Sequence, residues 1–405
     1  MNEVRRLLPE KLTSSPPTSP ERLVERGFDR ALNYALALEP EEIISTVTKS
    51  GIKGRGGAAF PTGVKWSSVS KAEGSVKYVV MNADESELGT FKDRVLLEED
   101  PLGALVGLVI GAHAVGAKKA YCYIRGEYRK AEQTLARAIE TLRHGGWVGP
   151  LGVEIEIRRG AGAYIAGEET ALFNSIEGKR PEPRVKPPFP TTKGLWASPT
   201  LIQNVETLAN VAILFAHDLP WFTAYGTQDT VGTKLVGLSG HVRRPGVYEV
   251  PFGTPMQEIL DAPELGGTVA GSGHLGAVLL GGAAGTFLTP REVKNAVLDY
   301  PSLGAIGASV GSGAIMVFDD TVNLEWVVTK LARFFAEESC GQCVPCRIGT
   351  KRILEMMETG KLWTRTSDLR ALGQAMKDAS ICGLGQTAPV ALLSISERPE
   401  YRYHA

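Results

Sequence analysis

The sequence has almost no net charge: 44 Lys and Arg against 45 Asp and Glu leave −1 over 405 residues. Without a basic excess there is no field to gather phosphate backbones, so a dedicated nucleic-acid binder is excluded. Cysteine is scarce, with five residues, too few for a disulfide framework. Long apolar runs are missing as well. The longest, Leu102 to Ala117, has 16 residues, includes four glycines and contains His113, whereas a membrane-crossing helix needs about 20. It reads as a buried helix, and no direct membrane insertion is expected. The first 25 residues carry charges and a Ser/Pro patch but no apolar segment of the kind a secretory signal needs. A cytoplasmic chain is the expectation, and five thiols in a reducing compartment point to thiol or metal chemistry.

What is present is ordinary for a folded protein, with 43% hydrophobic and 22% charged residues. At about 150 residues per domain the length allows two or three domains. Glycine alone is off average, 46 of 405 residues or about 11% against a usual ~7%. Such an excess marks places where backbone turns sharply or approaches a ligand.

Apolar positions recur at helical spacing from Pro20 to Lys49, which predicts two or three short helices. Tyr78 to Met81, Ala120 to Ile124 and Val153 to Ile157 read as strands, with the buried helix and an amphipathic helix, Arg129 to Arg143, between them. Strand and helix in alternation is the pattern of an α/β fold with a parallel sheet. Lys186-Pro187-Pro188-Phe189-Pro190 must be an extended loop. Short strands between Gly232 and Phe318, around one helix from Thr254 to Leu260, predict a small α+β domain. Leu324 to Glu338, Ile348 to Thr359 and Leu369 to Ala379 predict a helical bundle with cysteines at its junctions.

Three clusters carry chemistry. Cys340, Cys343 and Cys346 are spaced C-x2-C-x2-C, and Cys382 follows after 35 intervening residues. Four thiolates are what one cubane cluster requires. Zinc is the competing reading, although zinc sites usually use separated pairs of ligands. Cys122, in a strand, reads as a small core residue. The second cluster runs from Gly51 to Trp66. Gly54-x-Gly56-x-x-Ala59 formally fits a dinucleotide fingerprint, but no apolar strand precedes it and Pro61 falls where the helix should begin. What remains is a possible anion nest, with positive charge from Arg55 and Lys65; a flexible surface loop is the bland alternative. In the third, Gly160 to Thr170, the adjacent Glu168 and Glu169 open a helix. Carboxylates there are usually helix-dipole partners. In a nucleotide site they could accept hydrogen bonds from hydroxyls, as could Asp84, Glu85 and Glu87 after the first strand.

Arg55 to Gly63, Asn82 to Glu87, Gly167 to Leu172, Lys186 to Pro190, Asn204 to Leu208 and the four cysteines follow one another in this order. On these motifs the chain, from about Ser45 onward, resembles the FMN-binding NADH dehydrogenase subunits of respiratory complex I and of NAD-linked hydrogenases and formate dehydrogenases. The resemblance implies a first unit at 1–228 made of the N-terminal helices plus a Rossmann-like FMN and NADH domain, a ubiquitin-like domain at 229–320 and a helical 4Fe–4S domain at 321–405. It implies that FMN is held by Gly54, Arg55, Gly56, Gly57, Lys65, Asn82, Asp84, Glu85, Gly167, Glu168, Ile202, Gln203, Asn204 and Thr207. NADH would be held by Phe60, Glu87, Glu169, Lys186 and Phe189, with Glu87 and Glu169 as the catalytic carboxylates beside the reacting nucleotide. The cluster would be held by Cys340, Cys343, Cys346 and Cys382.

Four positions depart from the family pattern. Ser68 stands where an aromatic residue near the adenine is common, Ala166 for a common cysteine, Leu88 for a proline and Gln203 for an asparagine. Cys346 to Thr350 and Cys382 to Pro389 look more like the soluble hydrogenase and formate dehydrogenase subunits than the complex I branch. The implied partners are a thioredoxin-like 2Fe–2S subunit and a larger multi-cluster iron–sulfur subunit. The alternative of another class is a non-catalytic iron–sulfur scaffold that has lost its flavin.

Overall fold

The computed structural model describes residues 4–9, 15–149 and 152–403. Residues 10–14, part of the N-terminal Ser/Pro stretch, lie outside them. Four parallel strands form the first sheet: β1 (Tyr78–Ala83), β2 (Lys119–Ile124), β3 (Glu154–Arg159) and β4 (Thr200–Asn204), in the order β3-β2-β1-β4. From β1 the chain moves outward through β2 to β3, then returns to lay β4 on the other edge of β1. That reversal makes the carboxyl ends of β1 and β4 a switch point, where connections leave in opposite directions and a crevice opens.

The alternation of side chains along a strand divides β1 between two cores. Val79, Met81 and Ala83 pack with the helices Phe28–Leu36, Pro101–Val115, Arg129–His144 and Val205–Ala216. Val80 joins Tyr121, Tyr123 and Ile202 on the other face, against Leu172, Phe173 and Ile176 of the helix Glu169–Ile176. Cys122 is fully buried, as a core residue. The helix Pro101–Val115 begins on proline, buries every residue but His113, and ends at Gly116 in the left-handed conformation with φ 75°. A Cβ on Gly107 would lie 2.0 Å from the carbonyl oxygen of Leu208, so the two central helices meet backbone to backbone and only glycine fits.

The second sheet contains β5 (Thr233–Gly240), β6 (Gly246–Pro251), β7 (Leu275–Leu280), β8 (Thr286–Leu288) and β9 (Ala314–Asp319). Its order is β6-β5-β9-β7-β8, with β5 and β9 parallel and the other neighbours antiparallel. One face packs on Met256 and Ile259 of the helix Met256–Asp261. The other sends Ala277, Leu279 and Phe287 into a core shared with the C-terminal helices Leu324–Glu338, Val344–Glu358, Thr366–Ala379 and Val390–Ser396. The protein is thus a mixed α/β fold with a parallel sheet. Among the described residues no helix is long and apolar enough to cross a membrane.

The expected elements form, with two differences. The one helix expected at Thr254 to Leu260 begins two residues later and is joined by Pro290–Asn295 and Tyr300–Ala305. The first of these starts with a capping box between Thr289 and Glu292, a signal the sequence does carry. Strand β4 and the helix after it were legible only as a motif: eleven of that helix's 12 residues are buried, so no polar face reveals its period, and buried Glu206, Thr207 and Asn210 break up the apolar run that would otherwise mark it.

The N-terminal segment is tied to the second sheet by one carboxylate. Glu249 of β6 is fully buried, and its Oε2 accepts hydrogen bonds from the backbone N–H groups of Arg6 (2.8 Å), Leu7 (2.8 Å) and Leu8 (3.2 Å). Arg26 in turn donates to the carbonyls of Arg6 and Leu7. Replacing Glu249 by Ala leaves these three N–H groups, and the Thr233 hydroxyl that donates to Oε1 at 2.7 Å, without their acceptor and is expected to cost about 3 kcal/mol, within the range for orphaned buried groups. Thermal unfolding together with amide exchange at residues 6–8 measures this; unchanged exchange would show that the carboxylate holds nothing.

Candidate functional site

The glycine-rich segment is a closed loop between two helices, Pro40–Lys49 and Thr62–Lys71, and has no strand before it. Gly54 N–H donates to the Phe60 carbonyl at 2.8 Å and Thr62 N–H to the Ile52 carbonyl at 2.9 Å, pinching the loop at its base. Arg55 N–H donates to Thr207 Oγ1 at 2.9 Å, which fixes the loop over the end of β4. A Cβ on Gly56 would stand 3.1 Å from Asn204 Cβ, so bare backbone lies against this strand end. Gly57 has φ 128°, a conformation left to glycine.

Below the loop the crevice opens as two adjoining lobes of about 490 and 690 Å³. The first is lined by Gly56, Gly57, Asn82, Asp84, Glu85, Glu87, Lys92, Tyr164, Gly167, Glu168 and Asn204, with Ala284 and Ser312 from the second sheet. The second is lined by Gly54, Phe60, Lys65, Ser68, Glu169, Lys186, Phe189, Ile202, Gln203 and Thr207. Phe60 and Phe189 are about half exposed there, at 52% and 56%.

The carboxylates of the crevice are held in different ways. Glu168 caps the helix Glu169–Ile176, accepting from Thr170 N–H at 2.9 Å and Ala171 N–H at 3.0 Å, while its other oxygen takes Lys186 Nζ at 2.9 Å. Glu169 lies between Lys186 (2.6 Å) and Lys65 (3.1 Å). Burial alone would raise its pKa, but the two ammonium groups outweigh it and hold the carboxyl below its ordinary range. Glu87 accepts from Ala284 N–H at 3.0 Å, and burial pushes it up to about 7. Asp84, also pushed up to about 7 by burial, accepts from Ser86 Oγ on one oxygen, while the other is buried with no protein partner. Gln203 likewise keeps a buried amide nitrogen without a partner.

Behind the crevice floor lies a buried ionic network. Glu206 Oε2 receives Lys92 Nζ at 2.9 Å and Lys234 Nζ at 2.6 Å, while Oε1 takes Leu235 N–H at 2.9 Å. Lys92 also donates to Asp93 at 2.7 Å, and Asp93 accepts from Asn204 Nδ2 at 2.6 Å. Burial alone would lower Lys92, but Asp93 and Glu206 more than reverse it, whereas burial prevails at Lys234 and lowers it.

The four cysteines at 340, 343, 346 and 382 converge on one small cavity with Ile165, Ser339 and Leu384. Cys346 and Cys382 are buried, and burial pushes both thiols up to about 11, so metal must supply the positive charge that ionises them. Among the described residues the lining supplies four thiols and no imidazole or carboxylate, which is the donor set one cubane requires.

Residues 47–213 match the family described as the Nuo51 FMN-binding domain, and residues 326–404 the NADH-ubiquinone oxidoreductase-F iron-sulfur binding region. An F subunit of the NADH-quinone oxidoreductase of Rhizobium meliloti is 43% identical over 380 residues, covering 90% of this chain and 89% of that one. An NADP-reducing hydrogenase subunit of Solidesulfovibrio fructosivorans is 39% identical over 390 residues, covering 94% and 79%. The chain belongs to the family of NADH dehydrogenase flavoprotein subunits. The solved NAD+-reducing [NiFe]-hydrogenase in its H2-reduced state superposes with a TM-score of 0.83 at 35% identity, over 96% of this chain; the chain spans 65% of that one's length. As a family member it is an NADH dehydrogenase, and its cofactor complement is FMN, NAD(H) and one 4Fe–4S cluster.

The residues present fit FMN. Unpartnered buried atoms on Asp84 and Gln203 belong to the crevice lining, and the close approach at Gly56 leaves backbone free of side chains. Of the residues expected to hold cofactor or nucleotide, the crevice gathers all but Arg55. Its guanidinium is 1% exposed and faces away, donating to the Val231 carbonyl and lying 4.5 Å from the Phe252 ring centroid. Its charge is therefore spent on the second sheet, and the expectation that it meets a phosphate is corrected: only its backbone serves the loop. Glu85 reaches the lining, but its carboxylate caps the helix Lys92–Glu99 through Asp93 N–H and Arg94 N–H. Ser68 does line the second lobe, with its hydroxyl donated to the Val64 carbonyl.

Sequence reasoning missed Tyr164, Lys92, Ala284 and Ser312. No local signal marks Ala284 or Ser312, which come from loops of the second sheet; Tyr164 and Lys92 lie within or beside motifs already singled out. Cys382→Ala is expected to leave FMN bound and abolish the cluster, since three thiolates cannot complete the shell. Iron, sulfide and flavin content of anaerobically prepared protein measure this, and undiminished iron would remove Cys382 from the ligand set.

Proposed function

We propose that the chain is the NADH-oxidising subunit of a soluble NAD-linked hydrogenase or formate dehydrogenase. The observation that carries the electron-transfer role is the position of the crevice: it lies at the switch point of a parallel sheet and shares a wall with the four-thiol cavity. The soluble branch is supported by the residues around Cys346 and Cys382 and by the likeness to hydrogenase chains. Membership of complex I is the second reading, favoured by the identity to the Rhizobium meliloti quinone-linked subunit.

In this reading Gly54, Gly56, Gly57 and Lys65 hold the phosphate end of FMN. Asn82, Asp84, Gly167, Glu168, Ile202, Gln203, Asn204 and Thr207 hold the remainder, with Glu85 supporting them from behind. Phe60 and Phe189 offer exposed ring faces to NADH, while Glu87, Glu169 and Lys186 offer hydrogen bonds and charge to its polar groups. Bound FMN supplies the conversion from a two-electron hydride to single electrons. No side chain has to move a proton in the hydride step, so these residues act by positioning. Cys340, Cys343, Cys346 and Cys382 hold the cluster.

The same reading divides the chain at 1–228, 229–320 and 321–405. The middle unit is taken as ubiquitin-like, which is supported by its strand order and mixed pairing. Each hydride carries two electrons and one cluster accepts one, so a further acceptor is needed. A thioredoxin-like 2Fe–2S subunit and a larger multi-cluster subunit are the proposed partners, in a cytoplasmic assembly. Pull-down from native cells at low salt is expected to recover both. A lone monomer would overturn the assembly, and membrane subunits would move the chain to the complex I branch.

Glu87 tests the nucleotide site. Its carboxyl, raised to about 7 by burial, is protonated below that pH and cannot then accept from NADH on both oxygens. The kcat/KM for NADH is expected to rise between pH 6 and 8, and Glu87→Gln to lose Glu87's share of that rise. At pH 8 the variant should fall roughly 10- to 150-fold, the equivalent of a charged hydrogen bond of ~1.5–3 kcal/mol, with FMN content unchanged. Loss of FMN instead would place Glu87 on the flavin.

A further inference from the structure

The flavin crevice and the cysteine cavity are separate spaces with two lining residues in common, Ile165 and Leu384. They reach the wall from distant parts of the chain. Ile165 lies in the turn Tyr164–Gly167 that leads into Glu168, and Leu384 follows Cys382 in the turn Gly383–Thr387. Both are buried, at 5% and 6% exposure, and neither side chain has a polar atom. Neither of these two side chains offers a partner to a water molecule, so where they stand the wall is apolar.

We propose that Ile165 and Leu384 form an apolar septum that holds the two cofactor seats one layer of side chains apart and seals the cluster against small solutes entering through the crevice. This rests on the proposed seats of FMN and cluster. The ligand set is itself asymmetric. Cys346 and Cys382 are buried, while Cys340 and Cys343 are only half-buried. The thiols therefore have two boundaries with solvent-filled space, and the one towards the crevice is closed by these two side chains.

The test uses anaerobically purified, FMN-loaded protein exposed to hydrogen peroxide, with released iron captured by ferrozine in solution. Truncation to alanine opens a cavity that the neighbours fill only in part. Leu384→Ala and Ile165→Ala are expected to lose iron about tenfold faster than the wild type, and saturating NAD+, which covers the crevice, to slow them again. Leu384→Met, which keeps the volume, should behave as the wild type. Leu392 is a fully buried leucine of the same helical region that lines neither space. Leu392→Ala controls for general loosening and should show no acceleration that NAD+ reverses. The septum is overturned if the alanine variants match the wild type, or if their acceleration is shared by Leu392→Ala or indifferent to NAD+. Wild-type protein without iron and sulfide would instead overturn the cluster reading, a result distinct from any of these.

Discussion

A single carboxylate, that of Glu206, joins the parts of this protein beneath the cofactor crevice. It is completely buried and holds two ammonium groups, Lys92 from the helix after β1 and Lys234 from the second sheet. Breaking a buried ion pair by removing one partner typically costs about 3–5 kcal/mol, because the other charge is left uncompensated. Glu206 sits in the first turn of a helix whose cap, Asn204, lines the crevice. Asn204 is bonded to Asp93, which is bonded to Lys92. The crevice floor and the docking of the second sheet thus depend on the same charges, and neither can shift without disturbing the other.

The second sheet contributes to the site directly as well. The loop after β7 supplies the N–H that Glu87 accepts, and a Cβ on Gly282 would lie 2.5 Å from the Glu87 carboxyl carbon. Arg55, from the glycine-rich loop, turns its charge towards the Phe252 ring and the Val231 carbonyl. The nucleotide crevice is therefore shaped from both sides, by a switch point on one sheet and by hairpin loops of the other. This explains why the parallel sheet alone would leave Glu87 without its positioning partner.

Carboxylates of one chemical type do unlike work within this space, and their surroundings decide which. Glu168 and Glu85 face helix N-termini and accept backbone N–H groups. Glu169 is fixed between two lysines and stays ionised. Asp84 and Glu87 lack a close cation of comparable effect, so burial raises both to about 7, where protonation responds to small changes in what binds beside them.

The amino-acid sequence by itself determined the chemistry. Cysteine spacing pointed to the cluster, glycine and acidic motifs marked the crevice residues, and continuous apolar runs located β1, β2 and the helix Pro101–Val115. These signals are local, set by covalent spacing and by the unbroken apolar character of segments buried on every side. What only the tertiary structure decided depends on residues far apart in the chain. The direction of Arg55, whose spacing within the glycine loop suggested a phosphate contact, was set by an aromatic ring nearly 200 residues away. The helix after strand β4 is buried almost throughout yet contains Glu206, Thr207 and Asn210, so neither a polar face nor an unbroken apolar run announced it. The meeting of Ile165 with Leu384, and of Lys92 with Lys234 at Glu206, comes from packing among distant segments. No local spacing encodes such contacts, because they exist only when the sheets and helices have closed around one another.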